Sequence, residues 1–178
     1  MDPKQIDFAQ GIKGKLPEIG KSVVIVCDVS SSMMGVPFAR LQQALTSIWD
    51  DLQSASILAF SSFVYPIEHP SQLPTPNGGT ALHWALAAAA VQKPSKVIVI
   101  SDGEPDDQQA AFEAAEEIPG VIDAIFVGDE SDKIAIEFMK KLSRMGGGTV
   151  ILRNLRDAKQ LLAPAIKSLL QLEGPIAL

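Results

Sequence analysis

The sequence predicts an open α/β fold: a mostly parallel six-stranded sheet with one antiparallel edge strand and helices on both faces. Three observations predict it. Short, almost wholly apolar β-branched runs alternate with longer stripes of helical spacing, the pattern of parallel strands buried on both faces. Two of the runs are separated only by Ser61 and Ser62, which leaves room for a hairpin and nothing longer. The chain has 178 residues. At about 100–200 residues per domain this is one domain, able to bury about 70% of its unfolded surface without disulfides or metals.

In chain order, the strands are expected at 23–27, 57–60, 63–67, 97–100, 121–127 and 149–152. The runs starting at 23, 97, 121 and 149 are nearly all apolar and are expected to be buried on both faces. Between them, Phe38, Leu41, Leu45, Ile48 and Leu52 recur at helical spacings. The Ala-rich stretch 81–91 has high helix propensity. Asp106 is placed to cap a helix running to about Glu117, ended by Pro119 and Gly120. Ile134, Phe138, Leu142 and Met145 form the next stripe, stopped by three glycines at 146–148. Asn154 is expected to cap a last helix carrying Leu155, Leu162, Ile166 and Leu169, with Pro164 bending it from inside. The order is β-α-β-β-α-β-α-β-α-β-α. Residues 1–20 show no pattern and read as an N-terminal arm, 21–173 as the domain, and 174–178 as a tail. The stretch 66–79 carries four prolines and two glycines, a long loop of the kind that often bears function.

Composition narrows the function. Apolar residues make up 47% of the chain and charged residues 20%, which excludes a disordered chain. Fifteen basic against 21 acidic residues give a net charge of −6. Nucleic-acid binding needs clustered cations, and the densest basic pair is Lys140–Lys141. Anionic lipid is disfavoured for the same reason. Cys27 is the single cysteine, so an intramolecular disulfide is excluded and a reducing compartment fits. A bilayer-spanning helix needs about 20 apolar residues; the longest run here is 84–91. The first 15 residues have no apolar core of the signal-peptide kind. A cytoplasmic location without membrane insertion is the expectation.

In open α/β sheets, ligands bind beyond the carboxyl ends of the strands. Three polar segments belong there. The first strand runs into Asp28-Val29-Ser30-Ser31-Ser32, the fourth into Ser101-Asp102-Gly103-Glu104, and Gly78-Gly79-Thr80 precedes the Ala-rich helix. Asp28, Ser30, Ser32, Thr80 and Asp102 together offer two carboxylates and three hydroxyls, all oxygen, which suits a hard cation such as Mg2+. Ser30 and Ser32 alternate along the loop, so both hydroxyls can point one way.

These residues resemble the von Willebrand factor A domain with its metal-ion-dependent adhesion site. The resemblance rests on Asp-x-Ser-x-Ser after the first strand, a later Gly-Gly-Thr, and Ser-Asp-Gly-Glu-Pro after the next buried strand, and covers about residues 21–170. It implies a Rossmann-like fold of this family. It also implies Ser30 and Ser32 as direct ligands of Mg2+ (Mn2+ or Ca2+ as alternatives), with Thr80 joining them in the active form. Asp28 and Asp102 would act through bound waters, and a Glu or Asp of a protein partner would complete the shell. Short solitary members resemble proteins of intracellular assemblies, sometimes beside an AAA-type ATPase. The family's affinity switch moves the last helix, here 155–171.

Other readings stand beside this one. The metal could serve only to staple the three loops of a scaffold domain. A Mg2+-dependent hydrolase of the haloacid-dehalogenase type also places an Asp after its first strand. It needs a second Asp two residues later, where this chain has Ser30. No Gly-x-x-x-x-Gly-Lys-Ser/Thr loop, Gly-x-Gly-x-x-Gly fingerprint or Gly-x-Ser-x-Gly elbow is present. Asp28, Ser30 and Thr80 taken singly could be helix caps. Glu104, Asp106 and Asp107 read as solvated loop carboxylates, and Cys27 as a small core residue. His69 and His83 lack spaced zinc partners. Met33 and Met34 divide evenly between core and partner face, and Trp49 and Trp84 read as core.

Overall fold

The computed structural model describes residues 11–14 and 22–171 of the chain. The tail at 174–178 and most of the N-terminal arm lie outside the described residues. Among the described residues, six strands and five helices follow in the order β1 (Val23–Asp28), α1 (Val36–Ser47), β2 (Ala55–Phe60), β3 (Val64–Ile67), α2 (Leu82–Val91), β4 (Lys96–Ser101), α3 (Gln108–Glu116), β5 (Val121–Phe126), α4 (Lys133–Met145), β6 (Val150–Leu152) and α5 (Leu162–Gln171). Short 3-10 turns lie at Ser31–Met33, Trp49–Leu52 and Pro70–Gln72.

The sheet order is β3-β2-β1-β4-β5-β6, with β3 antiparallel to β2 and every other pair parallel. Successive side chains on a strand point to opposite faces, and the strands use both. Val24, Val26, Leu58, Phe60, Val97, Val99, Ala124 and Phe126 pack with α2, α3 and α4. Ile25, Cys27, Ile57, Ala59, Ile98, Ile100 and Ile125 pack with α1 and α5. The continuous apolar runs in the sequence are the record of this double burial. The chain leaves β1 toward β2 on one side and crosses to β4 on the other. The crevice between their carboxyl ends is therefore the topological switch point, where such sheets bind ligands.

Four local expectations are corrected. The helix after β1 stops at Ser47 and continues as a 3-10 turn over Trp49–Leu52, because Asp50 and Asp51 would set carboxylates against the negative end of the helix dipole. Asp107, and not Asp106, caps α3: its Oδ1 accepts from the Ala110 amide at 2.9 Å. β6 is only half-buried, since as an edge strand it has one neighbour. The last helix begins at Leu162, not after Asn154. Asn154 instead forms a tight turn, its Oδ1 accepting from Arg156 N at 3.0 Å, and Asp157 does the same for Lys159 N at 2.9 Å. Pro164 then falls in the first turn of α5, where its missing N–H leaves no hydrogen bond unmade, and the interior bend is not needed.

The hairpin forms as read, with Phe60 opposite Val64 and Leu58 opposite Pro66. Pro66 is tolerated there because β3 is the outer strand. Residues 11–14, part of the arm, lie along β3: Ile12 bridges Val64, and the Lys13 amide donates to the Val64 carbonyl at 2.7 Å.

Candidate metal centre

Asp28 ends β1 and Ser101 ends β4, side by side at the switch point. Asp28 is fully buried. Its Oδ2 accepts from Ser101 Oγ at 2.6 Å and its Oδ1 from the Ser30 amide at 2.7 Å. The loop then turns so that Ser30 Oγ lies 3.1 Å from Ser32 Oγ. Ser32 Oγ in turn donates to Asp102 Oδ1 at 2.8 Å. One polar chain thus runs Ser101–Asp28–Ser30–Ser32–Asp102 across the carboxyl ends of β1 and β4.

Thr80 reaches this edge on the loop before α2. Its amide donates to Asp106 Oδ2 and its carbonyl accepts from the Asp106 amide, both at 2.9 Å. Gly78 takes φ +69°, a backbone conformation that favours glycine. Its carbonyl accepts from both the amide and the hydroxyl of Ser31, at 3.2 and 3.1 Å. The Gly79 amide donates to Ser62 Oγ at 2.9 Å, and a Cβ on Gly79 would clash with Asp106 Oδ2. Side-chain hydrogen bonds therefore join four of the five expected residues. Thr80 is brought to the same edge by its backbone, and no hydrogen bond among the described residues ties down its hydroxyl.

Sequence reasoning assigned no role at this site to Ser101 or Ser62, and read Asp106 as a helix cap. Ser101 could have been found: a hydroxyl at the end of the strand beside β1 must face the acid that ends β1. Ser62 and Asp106 act on the backbone of a loop distant in sequence, and no local pattern signals that. Asp106 and Asp107 are thus more than solvated carboxylates, while Glu104 stays exposed and accepts from Gln108 Nε2 at 2.6 Å. Met33 is buried and Met34 is 57% exposed beside the site, so one belongs to the core and one to the surface. Trp49 and Trp84 pack against the core only in part. His69 caps a turn, its Nδ1 accepting from Ser71 N at 3.1 Å. Half-buried His83 is held below the ordinary imidazole range by burial, against the opposing pull of Asp107 and Asp106.

Burial pushes Asp28 from 3.8 up to about 6, against the opposing hydrogen bonds of Ser101 and Ser30 and with a further push from Asp102. Asp102 is also raised by burial; the Ser32 hydrogen bond and Arg156 oppose this and Asp132 adds to it. Two carboxylates thus sit in a place that disfavours their charge. The folded chain holds a proton on Asp28 more tightly than the unfolded chain does. Between about pH 4 and 6 it therefore binds more protons, and its stability falls as the pH rises. Full ionisation of Asp28 costs about 3 kcal/mol by this measure. Without metal, the melting temperature is expected to drop between pH 4 and 7, and more steeply in the wild type than in Asp28→Asn. Thermal melts of both proteins in EDTA check this; parallel pH profiles would contradict it.

A small hard cation fits these donors. The Ser30–Ser32 oxygen spacing of 3.1 Å lies near the roughly 3.0 Å edge of an octahedron with bonds of about 2.1 Å, the Mg2+ geometry. The same spacing lets the two hydroxyls bond each other when no ion is bound. Among the described residues no group of three or more His, Cys, Asp or Glu is placed to hold a metal, so a cation here must rely on hydroxyls. Burial, with a smaller push from Asp28, raises the Cys27 thiol to about 12, so it is not poised as a nucleophile.

No family model and no curated protein matches the chain. Among solved structures it is similar to a von Willebrand factor type A protein from Catenulispora acidiphila, with a TM-score of 0.66 and 20% identity. The match covers 83% of this chain and 41% of that one, so this chain spans less than half the length of that relative. At this identity the likeness shows the fold, a von Willebrand factor type A-like α/β domain.

Proposed function

We propose that this von Willebrand factor type A-like domain is a protein-interaction module that holds Mg2+ at its switch point and captures a Glu or Asp of a protein partner. The observation that carries this reading is the hydroxyl pair Ser30–Ser32, set between the buried Asp28 and the half-buried Asp102, two carboxylates whose surroundings disfavour their charge. Ser30, Ser32 and Thr80 would bind the ion as neutral ligands. Asp28 and Asp102 would balance its charge from behind, through water. With no carboxylate bound directly, the ion keeps a strong pull on an incoming acid.

Capture is favoured over a purely stapling metal by a specific feature. The three loops are already laced together by protein hydrogen bonds, from Ser31 to Gly78, from Thr80 to Asp106 and from Gly79 to Ser62. A cation is not needed to fasten them. A hydrolase is disfavoured because Ser30 stands where a second Asp two residues after Asp28 is needed, and because the Cys27 thiol is held protonated.

Thr80→Ala removes one hydroxyl and leaves the backbone clamp to Asp106 in place. Affinity purification of bound proteins with the immobilised domain is expected to show partners retained in Mg2+ and released by EDTA. Thr80→Ala is expected to lose at least tenfold of that retention with an unchanged melting temperature. Retention that ignores both EDTA and Thr80→Ala would overturn the reading.

A further inference from the structure

On the far side of the sheet from α1 and α5, the helices α3 and α4 enclose an open groove of about 490 Å³. Its floor is aromatic. The Phe112 and Phe138 rings lie 5.2 Å apart between centroids, tilted by 37°. Ile134 stands at its edge and is 66% exposed, the most exposed large apolar side chain among the described residues. The walls are cationic. Lys141 Nζ sits 4.4 Å over the Phe112 ring, and Lys133 and Arg144 also line the groove. The one carboxylate there, Glu137, lies 3.1 Å from Lys140 Nζ. Helix α4 carries four cations and one carboxylate in a chain of net charge −6, so this face opposes the charge of the rest of the molecule.

We propose that this groove docks an acidic segment of a partner protein, an apolar side chain seated on Phe112, Ile134 and Phe138 and flanking carboxylates met by Lys133, Lys141 and Arg144. An amphipathic solvent-facing helix explains the lysines but not an isoleucine left in water beside a groove whose floor is formed by the buried Phe112 and Phe138. Ile134 would supply the apolar contact, and the cations would select the sign of the partner and speed its approach. A polyanion such as a nucleic acid or an anionic membrane fits less well. Such a ligand would extend past the groove onto exposed Glu113 and Glu116 of α3. The groove uses helix faces and none of the loops of the metal centre, so it stands or falls separately from the function proposed above.

The test is to pan a displayed random-peptide library on the whole protein in EDTA, which silences any metal-dependent capture. The enriched peptides are expected to pair large apolar residues with Asp or Glu. A synthetic copy of the strongest is expected to lose at least tenfold in affinity against Ile134→Asp, and again against Lys141→Glu. Asp at position 134 falls in the first turn of α4, where a carboxylate suits the helix dipole, and an unchanged melting temperature confirms that each variant folds. Peptides without an acidic bias, no enrichment, wild-type affinity for either variant, or binding of phosphatidylserine vesicles or duplex DNA in place of peptides would each overturn the proposal.

Discussion

Asp28→Asn is expected to abolish the stabilisation of this protein by Mg2+ without unfolding it. In the wild type, Mg2+ at about 100 times its dissociation constant stabilises by about 2.7 kcal/mol. For a domain of this size that is roughly 5–10 °C in melting temperature. The variant removes the charge that answers the ion, so the shift should vanish. Its metal-free behaviour is as informative. Asp28 is fully buried, and burial raises its pKa to about 6, so at pH 7 its ionisation works against folding. Asparagine keeps the shape and a carbonyl acceptor for the Ser30 amide or Ser101 hydroxyl while losing the buried charge. The EDTA melting temperature of Asp28→Asn at pH 7 should therefore equal or exceed that of the wild type. A variant that loses more than a few degrees in EDTA would mean that Asp28 is there for structure.

Phe126→Ala should do the opposite. Phe126 is fully buried at the end of β5, in the core shared with α2, α3 and α4. Truncating a buried Phe costs about 3–5 kcal/mol through lost transfer energy and the cavity left behind. That is roughly 6–20 °C in melting temperature, a large share of the 5–15 kcal/mol that holds a typical domain together. The donors of the metal centre lie on β1, on the loops after β1 and β4 and on the loop before α2, so at a temperature where the variant is folded its Mg2+ affinity should stay near that of the wild type. Urea unfolding with and without Mg2+ measures both terms. A loss below about 1 kcal/mol would contradict the burial account. An equal loss of metal affinity would tie the centre to the core more tightly than the hydrogen bonds indicate.

These two variants separate what could be read from the chain from what could not. The apolar runs at 23–27, 97–100 and 121–127 announced buried parallel strands because double burial leaves no room for polar alternation. Ser61 and Ser62 announced the hairpin because two residues allow little else. The candidate donors were legible for a related reason: polar residues that abruptly follow a buried strand must lie at its carboxyl end. The illegible parts depend on partners far away in sequence. Asp106 looked like a helix cap, but the Thr80 amide, 26 residues earlier, claims it and leaves the cap to Asp107. Pro164 looked like an interior bend because the stripe from Leu155 to Leu169 keeps helical spacing. The Asn154 and Asp157 turns use up the first part of that stripe. The apolar spacing of 149–152 matched a central strand, and only the sheet order reveals β6 as an edge.

The most direct test of the proposed centre is a titration of Mg2+ into the isotope-labelled protein at pH 7.5, followed amide by amide in nuclear magnetic resonance spectra. The account predicts saturable shifts concentrated at Ser30, Ser32, Gly79, Thr80 and Asp102, on three loops distant in sequence and met at one edge of the sheet. Saturation without shifts at these positions, or shifts confined to the exposed carboxylates Asp129, Glu130 and Asp132, would contradict it.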